Sequence, residues 1–253
     1  MIDKALFDQY ANALKVNANL LESAIRSLET ELSGLTGQSF KTALAARYAA
    51  LVKTYGNVAA RCAVEFYETL RGMADVSTAY EALQSESRSS EYLVSEASEI
   101  MKTSTNPSNS INKLAGRAVQ RSMEQADDTL LDNAKRDPAH PKWALVPSMG
   151  ACSWCVLLAS QGFVYASDKS IARSRHPNCK CTSVIDFDTK NPSLEGYDEK
   201  KLRSQYREAR RKVESGAVGE WSALTKEERE KYNNKYDRYL RNRIVGQMRQ
   251  DAK

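Results

Sequence analysis

The sequence predicts a mainly α-helical chain: a long helical hairpin, further helices, a small α+β module of zinc-knuckle type and a basic helical tail. Three observations predict it. Apolar residues recur at helical steps through roughly the first seventy residues and again from Ile111 to Leu130. Four of the five cysteines fall within the 30 residues from Cys152 to Cys181, beside one of only two histidines. The segment 200–253 carries sixteen cations against eight acids.

The first helix is read from Leu6, Tyr10, Leu14, Leu21, Ile25, Leu28 and Leu32. Gly34 and Gly37 break it, and Phe40, Leu44, Tyr48, Leu51, Tyr55, Val58, Cys62, Phe66 and Leu70 resume the pattern. So short a link implies an antiparallel hairpin, with Cys62 packed as an inert core residue. From Gly72 to Ser110 the composition turns to Ser, Thr, Asn and Glu, with one modest amphipathic stretch around Tyr92, Leu93, Ile100 and Met101, which reads as a hinge region. Asn106-Pro107 then starts a helix carried by Ile111, Leu114, Ala118, Met123, Ala126 and Leu130, and Asp137-Pro138 stops it.

From Trp143 the texture is irregular, with β-prone pieces at Gly162-Phe163-Val164-Tyr165 and Thr182 to Phe187. After Asn191-Pro192 charged helix returns, with Gly216 and Gly219 as breaks and Thr225-Lys226-Glu227-Glu228 as a capping box opening a last helix. The expected division is a helical domain over 1–142, a Cys/His module over 143–190 and a basic helical tail over 191–253.

Composition sets the class. Hydrophobic residues make up 42% and charged residues 27%, near the averages of soluble globular proteins, which disfavours collagen-like, disordered and membrane classes. The N-terminus has no basic stretch followed by an apolar run, and no apolar segment approaches a membrane span, so a cytoplasmic protein away from membranes is expected. In a reducing compartment a cysteine cluster reads as a metal or catalytic site before it reads as disulfides.

Cys152-Ser153-Trp154-Cys155 has the spacing of a metal knuckle, and His176-Pro177-Asn178-Cys179-Lys180-Cys181 supplies a second ligand group. Zinc takes four ligands and five are offered. Leaving out Cys181 gives a Cys3His set of Cys152, Cys155, His176 and Cys179, the preferred reading; leaving out His176 gives four cysteines, and both stay open. The competing account is four reduced cysteines in a small apolar module. No carboxylate lies between Cys152 and Asp168, so a bound ion is expected to be structural rather than catalytic, since a catalytic zinc needs an open position and a nearby general base.

Trp143 to Pro147, Ala151 to Cys155, Leu157 to Gly162, Val164-Tyr165 and His176 to Cys181 together resemble the phage Mu F-like head morphogenesis family. Asp128 to Asp137 is similar to the helix preceding this module in the version common among phages of actinobacteria. The resemblance implies a minor protein of the phage head that assists head assembly or travels with the DNA. The host cytoplasm would be its place during assembly, the virion head its destination, and the portal, major capsid or scaffold protein its partners. The family's cysteine and histidine positions map here onto Cys152, Cys155, His176, Cys179 and Cys181.

Proteins of this kind are also described as capsid maturation proteases. A serine protease needs an oriented imidazole base, and only two histidines exist: His140 in the turn-like Asp137-Pro138-Ala139-His140-Pro141, and His176, which the metal reading uses. No catalytic residue is therefore assigned. A third class is a nucleic-acid-binding zinc protein unrelated to phages.

The net charge of +5 divides into +8 over residues 200–253 and −3 elsewhere. Such a tail suits either weak, sequence-independent binding to DNA phosphates or a solvated helical face with internal pairs. Tyr232, Tyr236 and Tyr239 form a stripe whose spacing fits packing against another helix or subunit.

Overall fold

A computed structural model describes residues 1–165 and 175–251; Asp168, which closes the acid-free stretch, and the cation Lys253 lie outside the described residues. These contain eight helices and one small sheet, so the chain is mainly helical, as the periodicity predicts. They fall into two units: Met1–Trp143 with Phe163–Gly196, and Ala144–Gly162 with Tyr197–Lys253. No helix of either is long and apolar enough to cross a membrane.

In the first unit α1 (Lys4–Glu31) and α2 (Gly37–Met73) form the predicted hairpin. Asp3 caps α1 by accepting from the Ala5 and Leu6 amides. Leu14, Leu21, Ile25 and Leu28 line its buried face, as the spacing requires. On α2 the buried positions alternate between large residues (Leu44, Tyr48, Phe66, Tyr67) and alanines (Ala45, Ala49, Ala59, Ala60, Ala63), and the small ones let neighbouring helices approach closely. Cys62 is only half-buried, at the margin of the core rather than within it.

The third wall of this core is α4 (Pro107–Arg136), which opens as predicted with Asn106 accepting from the Asn109 amide and Pro107 in the first turn. Asp137 is its C-cap residue. More of α4 is buried than its apolar stripe indicates: Gln120, Ser122, Gln125, Asp127, Thr129 and Asn133 are buried too. Several of these polar side chains hold the segment read as a hinge. Asn133 donates from Nδ2 to the Leu83 carbonyl (2.8 Å) and accepts the Leu83 amide at Oδ1 (2.9 Å). Thr129 accepts the Ser85 amide (3.3 Å), and Gln125 donates to the Ser85 carbonyl (2.5 Å). Residues around Leu83 to Ser85 are thus fastened strand-like to a helix by side chains, and α3 (Ser90–Lys102) follows, burying Leu93, Ala97 and Met101.

Two buried polar features of this unit carry predictions. Asp137, fully buried, accepts from Arg71 Nε (2.8 Å), the Tyr67 hydroxyl (2.9 Å) and the Ala139 amide (2.9 Å). Burial pushes its carboxyl pKa up, but these donors outweigh it and hold the group below the usual 3.8. A depressed carboxylate contributes stability that is present above its unfolded pKa and is lost as pH falls through the folded one. Asp137→Asn is therefore expected to cost about 3 kcal/mol near neutrality, because Arg71 is left without its counter-charge. The deficit against wild type should begin to shrink as pH falls below about 4, where the unfolded carboxylate takes up its proton, and should close as pH passes through the lower folded pKa. Denaturant melts at pH 7 and pH 3 check it, and an equal deficit at both would refute it.

Tyr10 stacks on Phe66 with ring centroids 4.1 Å apart and planes 10° from parallel. Its buried hydroxyl has no hydrogen-bond partner among the described residues. Since a buried unsatisfied hydroxyl costs about 1–3 kcal/mol, Tyr10→Phe is expected to leave stability unchanged or raise it; a clear loss on thermal melting would show that the hydroxyl is satisfied in solution.

The strands are β1 (Lys142–Val146), β2 (Val164–Tyr165) and β3 (Thr182–Asp186), in the order β2-β1-β3. β1 and β2 pair antiparallel with Lys142 opposite Tyr165 and Trp143 opposite Val164. The two β-prone pieces of the sequence are thus strands, while β1 was not signalled.

In the second unit α5 (Ser153–Ala159), α6 (Glu199–Ala223), α7 (Lys226–Glu230) and α8 (Tyr236–Asp251) enclose a core of Leu157, Ala209, Val213, Ala217, Tyr239, Ile244, Val245 and Met248. Gly216 and Gly219 do not break α6. A helical glycine costs roughly 1 kcal/mol, which burial of Val213 and Ala217 between them offsets. The Thr225 capping box forms, with Thr225 and Glu228 bonding each other's backbone amides at 3.2 and 2.9 Å, but it opens only α7. Asn233 and Asn234 at φ 53° and 54° then take left-handed turns before α8. Tyr232, Tyr236 and Tyr239 gather round Trp221 of α6, with centroids 5.5 to 6.3 Å from it. The tyrosine stripe therefore packs on a helix of its own unit.

Candidate metal centre

In the second unit the tight turn Ser148 to Ala151, closed by the Ala151 amide on the Ser148 carbonyl (2.9 Å), leads into the first cysteine pair. Gly150 takes φ +74° there, a conformation glycine adopts without penalty. Cys152 is the N-cap residue of α5 and Cys155 its third residue, so the two-residue spacer folds both thiols back toward each other. Their sulfurs lie within 4.8 Å, with Cys155 2% exposed and Cys152 half-buried. The helix carrying them is held from behind. Leu157 enters the core of the unit, Arg241 lies over the Trp154 ring, and Arg203 donates to the Ser160 and Gln161 carbonyls at 3.3 and 3.2 Å.

In the first unit His176 to Cys179 form a turn closed by the Cys179 amide on the His176 carbonyl (3.1 Å), with Asn178 at φ +63°. The turn rests on α4. The Asn178 amide donates to the Gly116 carbonyl (3.0 Å), and the Asn178 side chain lies so close that a Cβ at Gly116 would meet its nitrogen at 2.8 Å. Any side chain at 116 would require the Asn178 amide group to shift. Lys180 anchors the far side on Asn19 (2.6 Å) and Glu22 (3.5 Å) of α1. Cys179 and Cys181 are each 2% exposed, with sulfurs within 4.8 Å of one another. His176 places Nδ1 2.8 Å from the Pro177 carbonyl; a proton on Nδ1 would make that contact a hydrogen bond and put the ring lone pair on Nε2.

Cys152, Cys155, His176, Cys179 and Cys181 are thus the candidate metal donors of the structure. Their chemistry fits zinc. Two thiolates on a tetrahedral zinc sit about 3.8 Å apart for Zn–S bonds of about 2.3 Å, and the sulfurs of each thiol pair lie within 4.8 Å of one another.

Sequence reasoning missed Arg175 and Asp127. Arg175 is 7% exposed and directs Nε and Nη2 at the two Asp127 oxygens, the second at 2.7 Å, while Nη1 donates to the Cys181 carbonyl and to Cys179 Sγ (3.5 Å). Ser183 of β3 donates to Asp127 as well, and Gln120 donates to the Arg175 carbonyl (2.7 Å). Burial opposes the charge on Arg175, but the adjoining carboxylate outweighs it and pushes the guanidinium pKa above its normal value. His140, the other histidine, is exposed at φ +46° in a turn closed by its amide on the Asp137 carbonyl (3.0 Å).

Helical units bearing close cysteine pairs and a neighbouring histidine define a mainly α protein with a candidate Cys/His cluster. The family model of the VG15 protein matches residues 1–209, and the chain belongs to that family. VG15 is a viral protein family, so this is a viral protein, in keeping with the phage origin that the motifs imply. No curated protein and no solved structure matches the chain.

Proposed function

We propose that this viral protein is a minor component of a phage head that acts in head assembly or in packaging and delivery of DNA, and that Cys152, Cys155, His176 and Cys179 hold one structural zinc, with Cys181 as the alternative ligand. The observation that carries the reading is the Cys-X2-Cys and His-Pro-Asn-Cys-Lys-Cys segment, which resembles the Mu F-like head morphogenesis family, within a chain of a viral family.

The two thiol pairs support the metal, each pre-set by a turn that a helix backs. The zinc would supply folding energy to short segments that bury little apolar surface of their own. The helical first unit is suited to be scaffold, and the portal, major capsid or scaffold protein is the partner class proposed.

A phage lacking the gene, complemented in trans with wild-type or mutant copies, tests this. Without it few filled heads should form, and mass spectrometry of purified heads should find the complementing protein at low copy. Normal yields of filled heads without the gene would remove the assembly reading. Folded His140→Ala protein whose heads accumulate uncleaved shell proteins would move the assignment to the maturation protease.

A further inference from the structure

The Arg175 guanidinium has a division of labour that its burial makes costly to maintain. Two of its nitrogens are spent on the two oxygens of Asp127, the bidentate arrangement that fixes a guanidinium plane most firmly. That pair alone would satisfy the charge. The third nitrogen, Nη1, is aimed away from Asp127 at the 175–181 loop, where it bonds the Cys181 carbonyl and reaches Cys179 Sγ at 3.5 Å. Asp127 is in turn oriented by Ser183 at the start of β3. The chain α4, Asp127, Arg175, Cys179 therefore ends on a sulfur.

We propose that Arg175, clamped by Asp127, is the positioning residue of the Cys179 metal ligand: Nη1 fixes the sulfur and the adjoining Cys181 carbonyl in the geometry that zinc requires. The inference rests on the metal reading above. It does not depend on which donor is left over, because Cys179 belongs to both ligand sets. The physical gain has two parts. A zinc thiolate accepts N–H hydrogen bonds well where a neutral thiol accepts them poorly, so the contact strengthens when the ion binds. A Cys3His zinc site also carries a formal charge of −1, which a guanidinium donor against one of its sulfurs offsets in a buried setting.

The test is zinc affinity by competition with a chromophoric chelator, together with the thiolate-to-cobalt charge-transfer spectrum of the Co2+ form, on the full chain under reducing conditions. Arg175→Lys keeps the charge and loses the fork. It should lower zinc affinity about 10- to 100-fold, the usual cost of an outer-shell partner, and alter the cobalt charge-transfer band, with helix content by circular dichroism unchanged. Asp127→Asn, which leaves Arg175 in place but loosens the clamp, should move both readouts the same way by less, and it carries the test if Arg175→Lys does not fold.

The decisive arm is the Cys179→Ser background. If Arg175 acts through that sulfur, the loss on Arg175→Lys should vanish there. An equal loss in both backgrounds, or no loss in either, overturns the proposal in favour of a purely structural ion pair. Wild-type protein that binds no zinc overturns the metal reading and this inference with it, and that outcome is seen before any variant is made.

Discussion

Protein purified under reducing conditions without chelator is expected to carry about one zinc per chain, and stripping it should melt the knuckle segments while α1, α2 and α4 stay folded. Ligand count sets the expected stoichiometry: zinc takes four ligands, and the two Cys/His segments offer five candidates. The size of the effect comes from the weakness of what the metal would support. The Cys152 turn leads into a helix of seven residues, and the His176 turn is fastened by a few hydrogen bonds. Structural zinc contributes roughly 10 kcal/mol or more of binding free energy to such segments.

The long helices need no such support, since Leu14, Leu21, Ile25, Leu44, Tyr48 and Leu114 are shielded almost completely within their own core. Cys152→Ser should therefore lose the metal and the amide protection around 148–160, with protection in α1, α2 and α4 retained. Elemental analysis and hydrogen exchange read the two halves of the expectation. Metal-free protein that keeps full protection over 148–160 and 176–181 would remove the zinc.

The sequence shows local signals far better than long-range ones. The hairpin, the Asn106-Pro107 start and the Thr225 box were all legible because each is written within a few residues. The segment read as a hinge was not. Its attachment is made by Gln125, Thr129 and Asn133, polar residues that periodicity assigns to a solvated face but that bond a backbone 40 to 50 residues away. Glycines 216 and 219 marked breaks on propensity alone, and packing of α6 on α8 overrode them.

The candidate site divides in the same way. The five candidate donors are visible from residue type and spacing. The clamp behind them was not, because Asp127 and Arg175 are 48 residues apart. An arginine in Arg173-Ser174-Arg175-His176 looks like part of a solvated basic run. Gly116 gave equally little sign, as the Asn178 side chain that lies against it comes from a distant part of the sequence.

On the basic tail, the structure narrows which cations are free to meet a polyanion. Arg210 pairs with Glu214, Lys212 with Glu208 and Asp251, and Arg243 with Glu220, so these charges are partly answered within the unit. Arg229 and Arg241 lie over the Trp221 and Trp154 rings. Arg207, Arg211, Lys235, Arg238 and Arg249 are exposed and in no ion pair among the described residues. Since the tyrosines are spent on Trp221, base stacking is not the mode expected of this unit, and phosphate contact is.

If roughly four to six cations meet phosphates, the logarithm of duplex affinity should fall against the logarithm of salt with a slope near −4 to −5, about 0.9 per contact. Raising salt from 50 to 200 mM should then weaken binding about 250- to 1000-fold, with no preference among sequences. Replacing Arg207, Arg211 and Arg238 together by glutamine should reduce the slope by about 3 and leave the fold intact, because none of the three contributes to the core between α6 and α8. Fluorescence anisotropy over a salt series measures both. A full-length protein that binds no duplex at low ionic strength would instead make these exposed arginines part of a surface for an acidic protein, of which the portal or shell is the candidate.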